Sequence, residues 1–257
     1  MRTVIQNSRF WLWSGLLFLC ACGELERNNP LDPKNPRSER PRVIFVEAFV
    51  NDATPFSPFA LRALDSLSLA LASDQIIIVE HHLPSANYND SYALQESAER
   101  YNNLAAADHG VPDVFFNGTP TRLQGASSAP TAAQRYRAAL QNESGKITYF
   151  TIEAKKSVAE TGIEINATIA RLGDSPASQF AIAAVVWEDL GLSGHRHVVR
   201  KIFSPEVVNG LAAGDTKTVR FTTHLSGVQN ANRVQAAVII ERNLNSGREV
   251  LQAALAE

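Results

Sequence analysis

Apolar and polar positions change their rhythm three times along this chain. Residues 43–50 (Val-Ile-Phe-Val-Glu-Ala-Phe-Val) form a continuous apolar run that predicts a buried strand. Residues 58–72 place Ala60, Leu64, Leu67 and Leu71 four, three and four apart, one face of a helix. Ile76-Ile77-Ile78-Val79 predicts a second buried strand over 75–80. Residues 91–107 predict a helix with Leu94, Ala98, Tyr101 and Ala105 inward and Gly110 as its stop signal. Val114-Phe115-Phe116 predicts a third strand, Asn117-Gly118 a hairpin turn, and residues 131–141 a last helix. This β-α-β unit followed by helix, hairpin and helix predicts a small α/β sandwich over residues 42–144.

After Gly145 the helical period disappears. Ile163, Ile165, Ala167 and Ile169 alternate with Glu164, Asn166 and Thr168, the pattern of a half-buried strand. Further strands are expected at 147–154, 180–188, 197–202, 218–224, 234–241 and 249–253, giving an all-β sandwich over 145–257. No internal repeat is present.

The first residues belong to neither pattern. Arg2 and Arg9 precede an apolar stretch over 10–19, and Leu19-Cys20-Ala21 precedes Cys22. A basic start, a short apolar run and a small residue before the cut describe a secretory signal. Leu, Ala and Cys at these relative positions resemble a bacterial lipobox, which implies a signal peptide over 1–21 and lipidation of Cys22. Cys20 is the worse acceptor, because Leu19 would then precede the cut. About ten apolar residues are too few for a membrane span, which takes roughly 20. Two or more acyl chains would hold the protein stably on a membrane surface without crossing it. Residues 22–41 are polar and rich in proline and read as an extended tether.

Cleavage changes the chemistry available. The only cysteines are Cys20, lost with the signal, and Cys22, spent on the lipid, so no disulfide and no free thiol remain. Losing Arg2 and Arg9 and no acid takes the chain from 24 basic and 26 acidic residues to 22 and 26, a formal net charge of −4. That mild acidity argues against a nucleic-acid partner, which calls for a basic patch.

The order of elements in the first half, with Val111-Pro112 before an apolar strand, resembles a thioredoxin-like fold, in which that proline is cis. More narrowly the chain resembles the Omp28-related lipoproteins, in which a thioredoxin-like domain precedes a β-sandwich, here expected to be immunoglobulin-like. Glu47-Ala48-Phe49-Val50 falls where those proteins carry Glu-Glu-Phe-Thr. Residues 195–200 resemble their middle strand, and 241–253 their closing hairpin. The resemblance implies a cell-envelope location, with the outer membrane as the expected site.

The chain departs from that pattern at the redox loop. Where redox members carry Cys-x-x-Cys-Pro, this chain has Thr54-Pro55-Phe56-Ser57-Pro58. Such catalysis needs a thiolate of low pKa and a second thiol to resolve the mixed disulfide. Hydroxyls supply neither. Ala48 also replaces the acid that the family places six residues before its first Cys. No catalytic residue is therefore expected. Ser57 before Pro58 reads as a helix N-cap, or else Thr54 and Ser57 donate hydrogen bonds at a helix N-terminus that favours anions.

Without thiols, the strand before the proline can still pair with an extended segment through its backbone. A protein or peptide partner is expected to dock near Phe56, Val111 and Phe115. The alternatives are an enzyme in which Ser57 or Thr54 activates a small thiol, as in glutathione transferases, and a structural subunit of a surface assembly. His81-His82 and His195-x-His197 offer ligand chemistry, but no further ligand follows at a recognisable spacing, so no metal is expected. No nucleotide loop, dinucleotide fingerprint or nucleophile elbow occurs, so no cofactor is expected.

Overall fold

The computed structural model describes residues 39–72, 74–86, 90–105, 108–159, 162–173 and 179–257. The lipobox, Cys22 and nearly all of the expected tether lie outside these residues. A short strand β1 (Arg40–Pro41) leads into β2 (Ile44–Val50), α1 (Ser57–Ser68), β3 (Ile76–His82), α2 (Gln95–Leu104), β4 (Asp113–Phe116), β5 (Arg122–Gln124) and α3 (Ala129–Glu143). There follow β6 (Ile147–Thr148), β7 (Phe150–Ala159), β8 (Gly162–Arg171), β9 (Gln179–Glu188), β10 (Val198–Ile202), β11 (Glu206–Asn209), β12 (Thr216–His224), β13 (Val234–Leu244) and β14 (Gly247–Leu255). Strand dominates, in open sheets, with three α-helices among the described residues. None of those helices is long and apolar enough to cross a membrane.

In the first half β2 and β3 are parallel, β4 runs antiparallel to β2, and β5 antiparallel to β4, in the order β3-β2-β4-β5. Strand alternation gives this sheet two faces. Val46, Ala48, Ile78, Val114 and Phe116 pack under α1 and α3 through Ala60, Leu64, Ala132 and Tyr136. Phe49 and Phe115 face α2 through Tyr101 and Leu104. Helix α1 stops at Ser68, short of the expected residue 72, and Leu71 is 37% exposed. The Ser68 hydroxyl donates to Asp65 O at 2.9 Å, a side-chain bond that competes with helix propagation. Helix α3 begins two residues earlier than expected because the Ser128 hydroxyl accepts the Thr131 N–H at 3.3 Å and caps it.

All seven strands expected after Gly145 are present. Strands β12, β8 and β7 form a three-stranded sheet, and it packs on one face of β9 and β13. The core between them includes Ile165, Ile169, Ile182, Val186, Val238 and Ile240. The two sheets thus enclose one apolar core.

The sheet that carries β9 and β13 does not stop at residue 145. Its order is β14-β13-β9-β10-β3-β2-β4-β5, with β11 beside β9. Strand β10 joins β3 in parallel at Val198 and Glu80, and the Glu80 N–H donates to His197 O at 2.8 Å. One core draws on both halves: Phe45, Ile77 and Val79 pack with Val185, Val199, Ile239 and Val250. The hairpin of β13 and β14 returns to the β4–β5 turn, where Val250 N–H donates to Asn117 O at 3.0 Å and Thr119 N–H to Arg248 O at 2.8 Å. Gly118 has φ +87°, and a Cβ there would stand 2.2 Å from Arg248 O. Only glycine fits that approach.

Candidate functional site

The end of β2 leads into the loop that carries Thr54-Pro55-Phe56-Ser57. Asn51 organises it: its Oδ1 accepts the Ala53 N–H at 2.9 Å, and its Nδ2 donates to Leu83 O at 2.7 Å. Asp90 adds a second tie by accepting the Asp52 N–H at 3.0 Å. Backbone bonds from Thr54 to Asn51 and from Ser57 to Thr54, 3.0 and 3.1 Å, complete two turns. The loop is thus held by side-chain amide and carboxylate groups.

Ser57 departs from the expected capping role. It is the first residue of α1, the cap position is Phe56, and no side chain caps the helix. The Ser57 hydroxyl is wholly buried and instead accepts the Asn51 N–H at 3.3 Å. Pro58 still occupies the first turn, where its missing N–H costs nothing. That bond leaves the Ser57 hydroxyl turned to the Asn51 backbone and shielded from solvent. Thr54 stands on an open rim.

Opposite this loop, the Val111–Pro112 peptide is cis. Three side chains hold the segment that leads to it. The Tyr101 hydroxyl accepts the Gly110 N–H at 3.0 Å and donates to Asp113 Oδ2 at 2.8 Å. Arg122 donates to Asp113 from Nε and Nη2 at 2.9 and 2.7 Å. Gln124 Nε2 donates to Gly110 O at 3.0 Å. Beyond the proline, Pro112 O accepts the Gly125 N–H at 2.7 Å. Val111, between these anchors, has neither its N–H nor its C=O hydrogen-bonded among the described residues.

Thr54 and Val111 border one cavity of ≈ 430 Å³, lined also by Asn51, Leu83, Ala98 and Tyr101. The structure therefore brings the degenerate loop and the proline segment together across an open groove. It does not bring the two expected aromatic contacts there. Phe115 is wholly buried against Phe49 and Tyr101 because its strand position faces α2. Phe56 is 49% exposed, but it lies outside the lining of the groove.

Below the groove lies a charge cluster that the sequence reading missed. Arg100 of α2 donates to both Glu47 carboxylate oxygens, at 2.7 and 2.9 Å, and to Glu241 Oε2 at 2.6 Å. Arg248 also donates to Glu241. His81 lies 3.4 Å from Glu47 and 3.2 Å from the Ser97 hydroxyl, with its ring stacked on Phe49. Burial alone would raise the Glu47 pKa, but the Arg100 charge and hydrogen bonds from His81 and Arg100 outweigh it, holding Glu47 at about 2. Burial likewise opposes ionisation of Glu143, yet bonds from Asn117, Lys146, Thr121 and Arg42 hold it at about 2.

These two carboxylates make acid the weak side of the protein. Their folded pKa values lie below the ordinary 4.5. Their contribution is therefore complete above pH 4.5 and is lost as pH falls toward 2. For Glu47 the loss amounts to about 3 kcal/mol by linkage. Thermal melts followed by circular dichroism are expected to fall steeply in midpoint from pH 4.5 to pH 3. A midpoint unchanged at pH 3 would refute this account.

Strand alternation separates His81 from His82, while His195 and His197 lie in the segment before β10. His81 points to Glu47, whereas His82, on the opposite face, places Nδ1 2.8 Å from Asp90 Oδ2 and 3.6 Å from Asp52 Oδ1. His195 joins His82, with ring centroids 5.5 Å apart. His197 instead joins Glu80 and Asp65. Each of these two clusters also draws an acidic residue from another element, Asp52 in the first and Asp65 in the second. A visible signal was available: Glu47, Glu80, Glu188 and Glu241 each interrupt or close an apolar run, and all four are buried.

No protein-family model matches the sequence, and none of the curated proteins compared with it does. Among solved structures, HBP35 of Porphyromonas gingivalis is similar, with a TM-score of 0.63 at 12% identity, over 84% of this chain and 74% of that one. A protein of Agrobacterium tumefaciens gives 0.49 at 19% identity, over 84% of this chain and 95% of that one. A domain of the outer membrane lipoprotein Omp28 from Porphyromonas gingivalis gives 0.33 at 14% identity, over 42% of this chain and 86% of that one. The similarity to HBP35 is a likeness of fold, and it spans both halves of the chain.

Proposed function

We propose that this chain is a cell-envelope lipoprotein, anchored through Cys22, that binds extended protein segments without redox chemistry. The observation that carries the reading is Val111, whose unpaired N–H and C=O stand at the rim of the ≈ 430 Å³ groove. An extended segment could add there as a short strand through main-chain bonds, while the groove accommodates a side chain. Thr54 and Ser57 stand where a thiol-dependent site would need cysteines, so such binding ends without a covalent step.

Several features support a thioredoxin-like first half followed by an immunoglobulin-like sandwich. The sheet order β3-β2-β4-β5, with α1 and α3 on one face and α2 on the other, agrees with the first. The two-layered core of the second half agrees with the second. The likeness to HBP35 and the lipobox fit an Omp28-related lipoprotein of the outer membrane. The lipid is the contact with the membrane, and a protein or peptide is the partner.

Ala98→Trp tests the groove, because an indole at this lining position fills it from α2. Peptides selected from a random library on the wild-type chain are expected to lose at least tenfold in affinity for this variant. They are also expected to shift the Val111 amide resonance. Selected peptides that bind the variant equally well, or a library that yields none, would overturn the reading.

A further inference from the structure

We infer that Asp65, Glu80 and His197 form a binding site for one divalent transition-metal ion, separate from the groove. Asp65 comes from α1, Glu80 from the end of β3, and His197 from the residue before β10. One ligand atom from each lies within 4.8 Å of the others. Asp65 and Glu80 are 6% and 0% exposed.

The decisive feature is unmet bonding. Asp65 Oδ1, His197 Nε2 and both Glu80 carboxylate oxygens are buried with no well-formed hydrogen bond, the Glu80 carboxylate facing only the backbone N–H groups of His197 and Arg196. Buried polar atoms left this way cost about 1–3 kcal/mol each, more when charged. A proton shared between two of these groups would satisfy two atoms. A divalent cation would satisfy all four at once and neutralise both carboxylates. Two carboxylates and one imidazole suit Zn²⁺ or Mn²⁺ better than Ca²⁺, which takes six to eight oxygens.

The surroundings fit that use. Asp65 Oδ2 is fixed by the Gly194 N–H at 2.7 Å, which leaves Oδ1 free to ligate. His197 and Arg196 line a second cavity of ≈ 460 Å³ with Trp187, Asp189 and Arg233, a route for the ion and for water ligands. In the Asp52, His82 and His195 cluster, His82 Nε2 and His195 Nδ1 also lack partners, but His82 Nδ1 is held by Asp90 with Asp52 3.6 Å away, and no carboxylate oxygen there is buried without a partner.

The test is equilibrium dialysis of the chelator-treated full chain against Zn²⁺, Mn²⁺ and Ca²⁺, with elemental analysis. One Zn²⁺ or Mn²⁺ per chain is expected. Glu80→Gln and His197→Gln are each expected to weaken binding at least tenfold, while His82→Gln and Ala98→Trp leave it unchanged. Circular dichroism of the metal-free variants establishes that they fold. Absence of bound metal at 100-fold molar excess, or binding equal in Glu80→Gln and His197→Gln, overturns the site. Loss in His82→Gln alone would move it to the other cluster and overturns it equally.

Discussion

Replacing Arg100 by methionine is expected to destabilise the protein by about 3–5 kcal/mol at pH 7, the range for breaking a buried ion pair from one side. The guanidinium makes three charge-assisted bonds to Glu47 and Glu241, and these acids are 0% and 1% exposed. Methionine keeps the apolar stem of the side chain and removes only the charged head. Glu241 retains Arg248, but Glu47 loses the charge that holds its pKa near 2. It must then take up a proton to stay buried, which reverses its pH dependence. Urea midpoints should show the variant's deficit shrinking from pH 7 to pH 5. A deficit under 1 kcal/mol at pH 7, or one that grows on acidification, would contradict this role for Arg100.

Cutting the chain at residue 144 is expected to leave neither part with a cooperative unfolding transition. Sequence rhythm changes at this point, and as separate units the two parts would each need a complete core. Yet Phe45, Ile77 and Val79, at most 3% exposed, are covered by residues of β9, β10, β13 and β14. Residues 39–144 alone would expose that face and the edge of β3, a template for aggregation. Residues 145–257 alone would lose β3 beside β10 and the β4–β5 turn beside β14. Mixing the two should recover dispersed amide resonances. A sharp thermal transition from 39–144 alone would show that the shared core is dispensable.

Much of this structure was readable because its signals are local. Period-two alternation marked the strands after Gly145, and period-3.6 spacing marked α1 and α2. That Thr54–Pro55–Phe56–Ser57 holds no cysteine is read from the sequence directly. Asn117-Gly118 announced its special backbone by residue type, and it has φ of +53° and +87°. The cis Val111–Pro112 peptide was expected only from the resemblance, because few X-Pro bonds are cis.

What periodicity could not supply is the identity of the surface that covers each face. It separates Phe115 from Phe116 but leaves open which one meets solvent, and the packing of α2 buries Phe115. It places Ser57 beside a helix start, yet Asn51 claims its hydroxyl from the end of the preceding strand. His81 and His82 part company because neighbouring strand residues point to opposite faces. His82 and His195, and likewise Glu80 and His197, meet only because β10 lies against β3. The sequence by itself determined the elements, their two faces and the absence of cysteine after Cys22, all of which are read from residues near one another. Only the tertiary structure decided that both halves share one sheet, how the buried acids are neutralised, and where the groove opens. Those depend on partners such as Arg42 and Glu249, 207 residues apart, which no local pattern encodes.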